Sequence, residues 1–318
     1  MSFNKEFGYF ESTNGADRIA YYVYTPKDRE IRGTLQIVHG MCEYCARYED
    51  FISYLCENGI MVCCHDQLGH GSSVSDKSKL GYFAPERGWH FLAKDAAKLT
   101  KTIKDKHPEC RKLPYFILGH SMGSLVVRTA LTRYGFMYDG AIILGTLNTS
   151  VGADGGIVLT STLCRVKGGT NRSPFIDRLV FGVANKRIEN PVSEYSWLSR
   201  DDEVVLAYER DPLCNFHFTL RGYYDLMFLI SYVAAKDWAG KIDKDLPMFI
   251  CSGSEDPIGS YGEDPKEVFD ALNDAGATDI ELKIYSGARH ELLNETNKEE
   301  VYADLLEWLN NHMAILTE

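Results

Sequence analysis

The chain has 318 residues, of which 45% are hydrophobic and 25% are charged, as expected for a globular protein with a sizeable core. Its net charge of −11 argues against a nucleic-acid or anionic-membrane partner, because such surfaces need clustered Lys and Arg. The start of the chain lacks the pattern of a signal peptide, and no run is as long as a membrane span. We therefore expect a soluble cytoplasmic protein that acts on a small molecule. The sequence leaves monomer and homodimer open.

The nine cysteines lie mostly within apolar runs, which is typical of buried free thiols in a reducing compartment. Cys42 and Cys45 form a C-x-x-C pair. No second pair at ligand spacing completes a zinc site. We therefore predict that the protein binds neither a metal nor a cofactor.

The first predicted element is a β-hairpin, because apolar and polar residues alternate on both sides of Asn14-Gly15. Apolar runs of the kind found in strands buried on both faces follow. They are TLQIVHG, IMVCCHD, YFILGH, AIILGT, MFICSGS and ELKIYSG. Stretches with helical spacing, such as YEDFISYLCENG and WHFLAKDAAKLTKTIKDKH, separate several of these runs. The alternation predicts a mostly parallel, doubly wound α/β sheet.

The strand pattern stops between residues 147 and 238, where aromatic and polar helical stretches follow one another. In this segment Ser199 is a candidate N-cap for the stretch that follows it. The alternation resumes at LPMFICSGSEDP, and an amphipathic helix ends the chain. We predict a core formed by residues 1–146 and 239–318, with residues 147–238 inserted as a helical cap.

The most specific motif is Gly119-His120-Ser121-Met122-Gly123, which lies between an apolar run and a good helical stretch. A G-x-S-x-G turn between strand and helix exposes its serine in a strained backbone conformation. Gly119 and Gly123 provide the space that such a turn needs. The pattern indicates that Ser121 is a nucleophile.

A serine hydroxyl needs a base to activate it, and on this type of turn the acid and then the histidine follow the serine along the chain. Asp256 and His290 each follow a predicted strand in that order. Glu255 is the nearest competitor to Asp256, and spacing alone does not separate them. We expect His290 to be the general base and Asp256 to orient it.

Attack on a carbonyl also requires donors for the developing oxyanion. One predicted donor is the N–H of Met122, directly after the nucleophile. The second is the N–H of Met41, in the loop after an early strand, where Gly40 lets the backbone approach the substrate. We expect His39 to have a structural role beneath this loop.

Five segments together resemble the monoacylglycerol lipase and lysophospholipase group of α/β hydrolases, also described as serine aminopeptidase S33-like hydrolases. HGMCEYCARY, residues 39–48, is similar to the oxyanion loop of that group, and HDQLGHGSS to a turn with the pattern DxxGHGxS. GHSMGS is similar to its nucleophile elbow, and SGSEDP with YSGARHELLNE to its acid and histidine segments. These segments span most of the predicted core.

The resemblance implies an α/β-hydrolase fold with a helical cap, and an ion pair between Glu43 and Arg47 that braces the oxyanion loop. It also implies hydrolysis of a monoacylglycerol, lysophospholipid or similar acyl ester without a cofactor. Met41-Cys42 and Tyr44 depart from the pattern of the group, and this bulkier loop is expected to narrow the acyl entrance.

Two questions stay open at this stage. Apolar residues of the cap could line an acyl pocket or form the core of the cap itself. They are Phe175, Phe216, Phe218, Tyr223, Leu226 and Ile230. The substrate is also open, because a short-chain or aryl carboxylesterase, a peptidase or a thioesterase could use the same fold and residues. A non-catalytic receptor would have no need for nucleophile, base, acid and oxyanion donors together.

Overall fold

A computed structural model describes residues 2–148 and 152–317 of the chain. Eight strands within these residues form one sheet in the order β1-β2-β4-β3-β5-β6-β7-β8. The strands are β1 (Phe3–Glu11), β2 (Arg18–Pro26), β3 (Gly33–Val38), β4 (Ile60–His65), β5 (Tyr115–His120), β6 (Gly140–Leu144), β7 (Met248–Gly253) and β8 (Ile280–Tyr285). The first two strands are antiparallel to their neighbours, and β3 to β8 pair in parallel. The predicted hairpin and parallel sheet are confirmed.

Helices connect the strands and cover both faces of the sheet. They are α1 (Glu49–Glu57), α2 (Gly88–Lys106), α3 (Met122–Tyr134), α4 (Ala153–Lys167), α5 (Pro174–Phe181), α6 (Asp202–Arg210), α7 (Leu220–Val233), α8 (Glu263–Asp274) and α9 (Lys298–Thr317). Apolar residues of α1 and α9 pack with one set of strand side chains, and those of α2, α3 and α8 pack with the alternate set. The core therefore has two layers, one on each face of the sheet.

One predicted strand differs from expectation. β8 is partly exposed along most of its length, and the Ile284 side chain is 36% exposed. The reason is its place at the edge of the sheet, where β7 is its partner. An apolar run in the sequence does not distinguish an edge strand from a central one.

Helices α4 to α7 all lie between β6 and β7, in the stretch where the sequence shows no strand pattern. The cap range 147–238 includes residues 149–151, which lie outside the described residues. α7 packs on α4, α3 and α2, so the inserted helices rest on helices of the core.

The predicted N-cap at Ser199 is wrong. Asp201 is the N-cap of α6, and its side chain accepts hydrogen bonds from the N–H groups of Glu203 and Val204. Ser199 instead donates from Oγ to the carbonyl oxygen of Asn294 at 2.9 Å. An aspartate two residues later provides the same capping chemistry, so residue type alone could not assign the position.

None of the helices in the described part of the chain combines the length and the apolar run that a membrane crossing requires.

The turn from β5 to α3 depends on two glycines. A Cβ atom at Gly123 would lie 2.0 Å from the carbonyl oxygen of Val38 and 2.5 Å from that of His39. A Cβ atom at Gly119 would lie 2.4 Å from the carbonyl oxygen of Gly123. Backbone atoms cannot move aside as a flexible side chain can, so the turn can form only with glycine at both positions.

We expect Gly123→Ala to lower the free energy of unfolding by about 2–3 kcal/mol, because the added methyl group must displace the end of β3. Gly135→Ala is the matched control, since Gly135 ends the same helix and an added Cβ there meets no atom within 4 Å. Urea unfolding of both variants measures the difference. Equal stabilities would contradict this account of the turn.

Candidate active site

Ser121 lies between the end of β5 and the first residue of α3, with φ of 52° and ψ of −122°. Such a backbone is rare for a residue other than glycine. Its N–H donates to the carbonyl oxygen of Leu144 at 3.0 Å, and its own carbonyl oxygen accepts from the N–H of Ser124 at 2.9 Å. These bonds hold the strained residue in place at the carboxyl end of the parallel strands.

Asp256 and His290 are in contact. Nδ1 of His290 lies 2.9 Å from each carboxylate oxygen of Asp256. Both side chains are buried. Since Nδ1–H donates to the carboxylate, Nε2 is left as the acceptor nitrogen of a neutral imidazole.

The surroundings of Asp256 keep it ionised. Burial opposes the charged form, but the His290 imidazole and the N–H groups of Ile258 and Gly259 outweigh it and place the pKa of Asp256 below its ordinary value. Glu255, the competing acid, is exposed to solvent. The structure therefore brings Asp256 rather than Glu255 to His290.

The oxyanion loop is organised by Glu43, which is buried beneath it. Its Oε1 accepts hydrogen bonds from the N–H of Gly40, from Tyr48 Oη at 2.9 Å and from His120 Nδ1 at 2.9 Å. Its Oε2 lies 3.1 Å from Arg47 Nη1, the pair that the resemblance implied. One carboxylate thus fixes the start of the loop and the elbow histidine together.

Arg47 also binds a second carboxylate. Its Nη1 and Nη2 donate to the two oxygens of Glu291 at 2.6 and 2.7 Å, a bidentate geometry that suits guanidinium and carboxylate. Burial opposes the charge of Arg47, but Glu291 and Glu43 outweigh it and raise its pKa. Because Glu291 follows His290 directly, the Arg47–Glu291 pair links the oxyanion loop to the loop that carries His290.

His120 belongs to the same buried group of side chains as Glu43, Arg47 and Glu291. Burial disfavours an imidazolium, but Glu43 outweighs that effect, so the pKa of His120 is raised above its ordinary value. Its Nε2 faces the carbonyl oxygen of His290 at 3.4 Å, so both ring nitrogens face acceptors. His120 and Arg47 therefore face the two carboxylates, Glu43 and Glu291.

His39 has the environment expected of a structural residue. Its Nδ1 lies 2.8 Å from the carbonyl oxygen of Gly40, and its Nε2 accepts from the N–H of Gln67 at 2.9 Å. Burial, followed by the nearby His70, lowers the pKa of His39 to about 3. Its neutral ring supports the backbone on which Gly40 and Met41 lie.

The two predicted oxyanion donors flank Ser121. Met122 begins α3, and the first N–H groups of a helix have no partner within the helix. Gly40, the residue before Met41, approaches the serine so closely that an added Cβ would lie 3.1 Å from Ser121 Cβ. Among the described residues, neither the Met41 nor the Met122 N–H donates to a protein acceptor. Met41 and Met122 both line the same cavity as Ser121.

This cavity has a volume of about 970 Å³ and is lined by Ser121, His290 and residues of the inserted helices. Of the six candidate pocket residues, three line it: Phe216, Leu226 and Ile230. The other three do not, and for them the pocket interpretation is wrong. Phe175 is 63% exposed on the outer side of α5. Phe218 packs against the rings of Phe83 and His70.

Tyr223 is the third incorrect pocket residue. Its ring is fully buried, and its hydroxyl donates to Asp177. Residues that the sequence did not single out form part of the wall instead. They include Leu159, Leu179, Val180, Phe181, Trp197 and Met227. Helix-face periodicity identifies a buried side but not what that side faces.

The Cys42–Cys45 pair is not part of any cluster of metal-ligating groups within the described residues. Burial raises the pKa of both thiols, whereas metal binding requires thiolates. One group, Asp279, Glu281 and His312, has ligand atoms within 4.8 Å of one another. It lies at the start of β8, and none of its members lines the cavity.

Sequence reasoning missed His120, Tyr48 and Glu291 as parts of the site. Two signals were available, since His120 and Glu291 adjoin Ser121 and His290 in the chain. Their charges become informative only when the fold brings the three loops together.

The family model Hydrolase_4, described as serine aminopeptidase S33, matches residues 29–297. The chain belongs to this family. It is 27% identical over 300 residues to a protein named monoacylglycerol lipase from Mycolicibacterium smegmatis, covering 94% of this chain and 95% of that one. It is also 27% identical to a monoglyceride lipase of Homo sapiens, covering 87% of this chain and 82% of the relative.

A solved carboxyl esterase from Bacillus coagulans, in complex with glycerol, superimposes with a TM-score of 0.90 at 29% identity. The match covers 97% of this chain and 99% of the esterase. The chain is therefore a serine hydrolase with the α/β-hydrolase fold, and these relatives support ester hydrolysis as its activity.

The raised pKa of His120 predicts that its contribution to stability depends on pH. Its pKa is raised in the folded protein, so its contribution to stability is complete below the ordinary pKa of about 6.5 and is lost as pH rises through the folded value. We expect His120→Gln to lower the free energy of unfolding more near pH 5.5 than near pH 9.5. Urea unfolding at both pH values measures this.

His65→Gln provides a control of opposite sign. Burial lowers the pKa of His65 to about 3, so protonation in acid favours the unfolded chain. His65→Gln should therefore lose less stability near pH 5.5 than near pH 9.5. If His120→Gln lost equal stability at both pH values, the pKa of His120 would not be raised in the folded protein, and this account of its surroundings would be wrong.

Proposed function

We propose that the protein hydrolyses carboxylic esters of the monoacylglycerol or lysophospholipid type through a triad of Ser121, His290 and Asp256. One observation carries the proposal: a serine on a strained elbow and a histidine oriented by a buried carboxylate line a single cavity with apolar walls. The names of the relatives in the family agree with this substrate class.

The chemistry is a two-step acyl transfer. Ser121 Oγ attacks the ester carbonyl carbon while Nε2 of His290 takes its proton, and the carbonyl oxygen becomes an oxyanion between the N–H groups of Met41 and Met122. The carbon–oxygen bond to the alcohol then breaks, and His290 returns the proton to the leaving oxygen. In the second step His290 takes a proton from a water molecule, which attacks the acyl carbon. The bond from that carbon to Ser121 Oγ then breaks, His290 returns the proton to Oγ, and the acid is released. Throughout, Asp256 holds the imidazole and stabilises its charged form.

We propose that residues 147–238 form a cap over this site and that residues 1–146 and 239–318 form the core. Support comes from α4, α5 and α7, which contribute apolar side chains to the cavity opposite Ser121. An acyl chain would lie against this wall, which includes Leu159, Leu226 and Ile230. All nine cysteines are free thiols, which favours a reducing compartment such as the cytoplasm.

Asp256→Asn tests the triad. An amide in place of the carboxylate favours the wrong imidazole tautomer, so kcat for an ester should fall by about 10⁴ while the fold is retained. Glu255→Gln makes the same chemical change one residue earlier, on an exposed side chain, and should leave kcat close to the wild-type value. Steady-state kinetics with a p-nitrophenyl ester measures both. A large loss of kcat in Glu255→Gln, with a normal kcat in Asp256→Asn, would show that Glu255 is the acid.

The acyl wall predicts a dependence on chain length. Burying each additional methylene is worth about 0.8 kcal/mol, so kcat/KM should rise from short to long p-nitrophenyl esters. Ile230→Trp fills part of the cavity and should reduce turnover of long esters far more than of acetate. Phe175→Trp, on the exposed outer side of α5, should leave the dependence of kcat/KM on chain length unchanged.

A preference for short chains in the wild type, unaltered by Ile230→Trp, would contradict the lipase-like proposal and favour a short-chain or aryl esterase.

A further inference from the structure

The oxyanion loop is attached to the rest of the molecule on two sides. On the core side, the N–H of Gly40 donates to Glu43. On the other side, the N–H of Cys42 donates to His70 Nε2 at 3.2 Å, and Cys42 itself has a φ of 54°. Met41 lies between these two points. Its N–H can therefore keep its direction only if both flanking residues stay in place.

Tyr44 reaches from this loop to the segment after α6. Its hydroxyl donates to Asp211 Oδ2 at 2.7 Å. Tyr44 is one of the positions at which the loop departs from the pattern of the family it resembles. Burial, followed by Asp211, raises the pKa of Tyr44, so its hydroxyl keeps the proton that it donates. The contact joins a residue of the core to a residue within 147–238.

Asp211 organises the turn that follows it. Its Oδ1 accepts from the N–H of Leu213 at 2.8 Å, and its carbonyl oxygen accepts from the N–H of Cys214 at 2.9 Å. This turn leads into Phe216, which lines the cavity. A single aspartate therefore shapes the turn with one oxygen and holds Tyr44 with the other.

A second contact joins the oxyanion loop to the turn that follows Asp211. Sγ of Cys42 donates to the carbonyl oxygen of Phe216 at 3.0 Å. Because burial raises the pKa of the Cys42 thiol, it stays protonated and can donate. The loop residues on the Cys42 side of Met41 are thus held by the turn that carries Phe216.

We propose that Tyr44 is a positioning residue: its hydrogen bond to Asp211 fixes the oxyanion loop against the Asp211–Phe216 turn, and so sets the direction of the Met41 N–H. This inference rests on the proposed function. Tyr44 touches no reacting atom and acts through the loop. It follows that the wall of the acyl cavity and the oxyanion donor are held by the same turn, independently of the contacts that Glu43 makes.

A positioning role has a kinetic signature that a purely structural role lacks. The oxyanion exists only in the transition state and the intermediate, so a misdirected donor lowers kcat and kcat/KM equally and leaves KM unchanged. Complete loss of one donor costs about 10²–10³ in kcat. Since Tyr44→Phe displaces the donor without removing it, we expect a loss of roughly tenfold.

The substitutions at Asp211 provide the rescue test. Asp211→Ala should lose at least as much kcat as Tyr44→Phe, because it also removes the acceptor of the Leu213 N–H. Adding Tyr44→Phe to Asp211→Ala should cause no further loss. Asp211→Asn should keep most of the activity, because its oxygen can still accept from Leu213 and its amide nitrogen can donate to the Tyr44 oxygen.

Tyr285→Phe is the matched control. The Tyr285 hydroxyl donates to Asp304 Oδ2 at 2.8 Å, which is also a tyrosine–aspartate bond, but neither residue belongs to the oxyanion loop or to the Asp211–Phe216 turn. Thermal unfolding and steady-state kinetics with a p-nitrophenyl ester should show a small loss of stability in both Tyr→Phe variants and a loss of kcat only in Tyr44→Phe.

Wild-type kcat in Tyr44→Phe, a change confined to KM, or equal activities of Asp211→Asn and Asp211→Ala would overturn the proposal. Failure of the proposed function looks different, because the wild-type protein itself would then lack ester turnover.

Discussion

The structure depends on the strained backbone of Ser121, whose positive φ is possible only because Gly119 and Gly123 let β3, β5 and α3 approach within backbone contact. The close approach has two consequences for the site. It directs the serine side chain out of the sheet into the cavity, and it leaves the Met122 N–H at the free first turn of a helix. The packing of the sheet and the position of the proposed oxyanion donor therefore depend on the same turn.

Buried charge connects this turn to the neighbouring loops. Glu43 binds the oxyanion loop, Arg47 and the elbow histidine, and Arg47 binds Glu291 beside His290. A buried charge without a partner destabilises the fold, but here Arg47 and His120 face the carboxylates of Glu43 and Glu291. The loops that carry the proposed donor, nucleophile and base are thus held in one arrangement, which is what electrostatic stabilisation of a transition state requires.

The sequence predicted those features that local pattern determines. Apolar runs identified the strands, and the order of serine, acid and histidine selected the residues that the fold brings to one edge of the sheet. Spacing alone did not separate Asp256, the expected acid, from Glu255, and the fold shows that Asp256 is buried against His290 whereas Glu255 is exposed. The sequence also could not separate Phe216, which faces the cavity, from Phe218, since both lie in one aromatic segment and their orientation depends on tertiary packing.

Covalent labelling of the wild-type protein with a fluorophosphonate, read out by intact mass, tests the central claim most directly. The account predicts one adduct per chain, abolished by Ser121→Ala and retained in Ser260→Ala, where a second serine lining the same cavity is removed. A folded wild-type protein that takes up no label, or one whose label persists in Ser121→Ala, would contradict the assignment of Ser121 as the nucleophile.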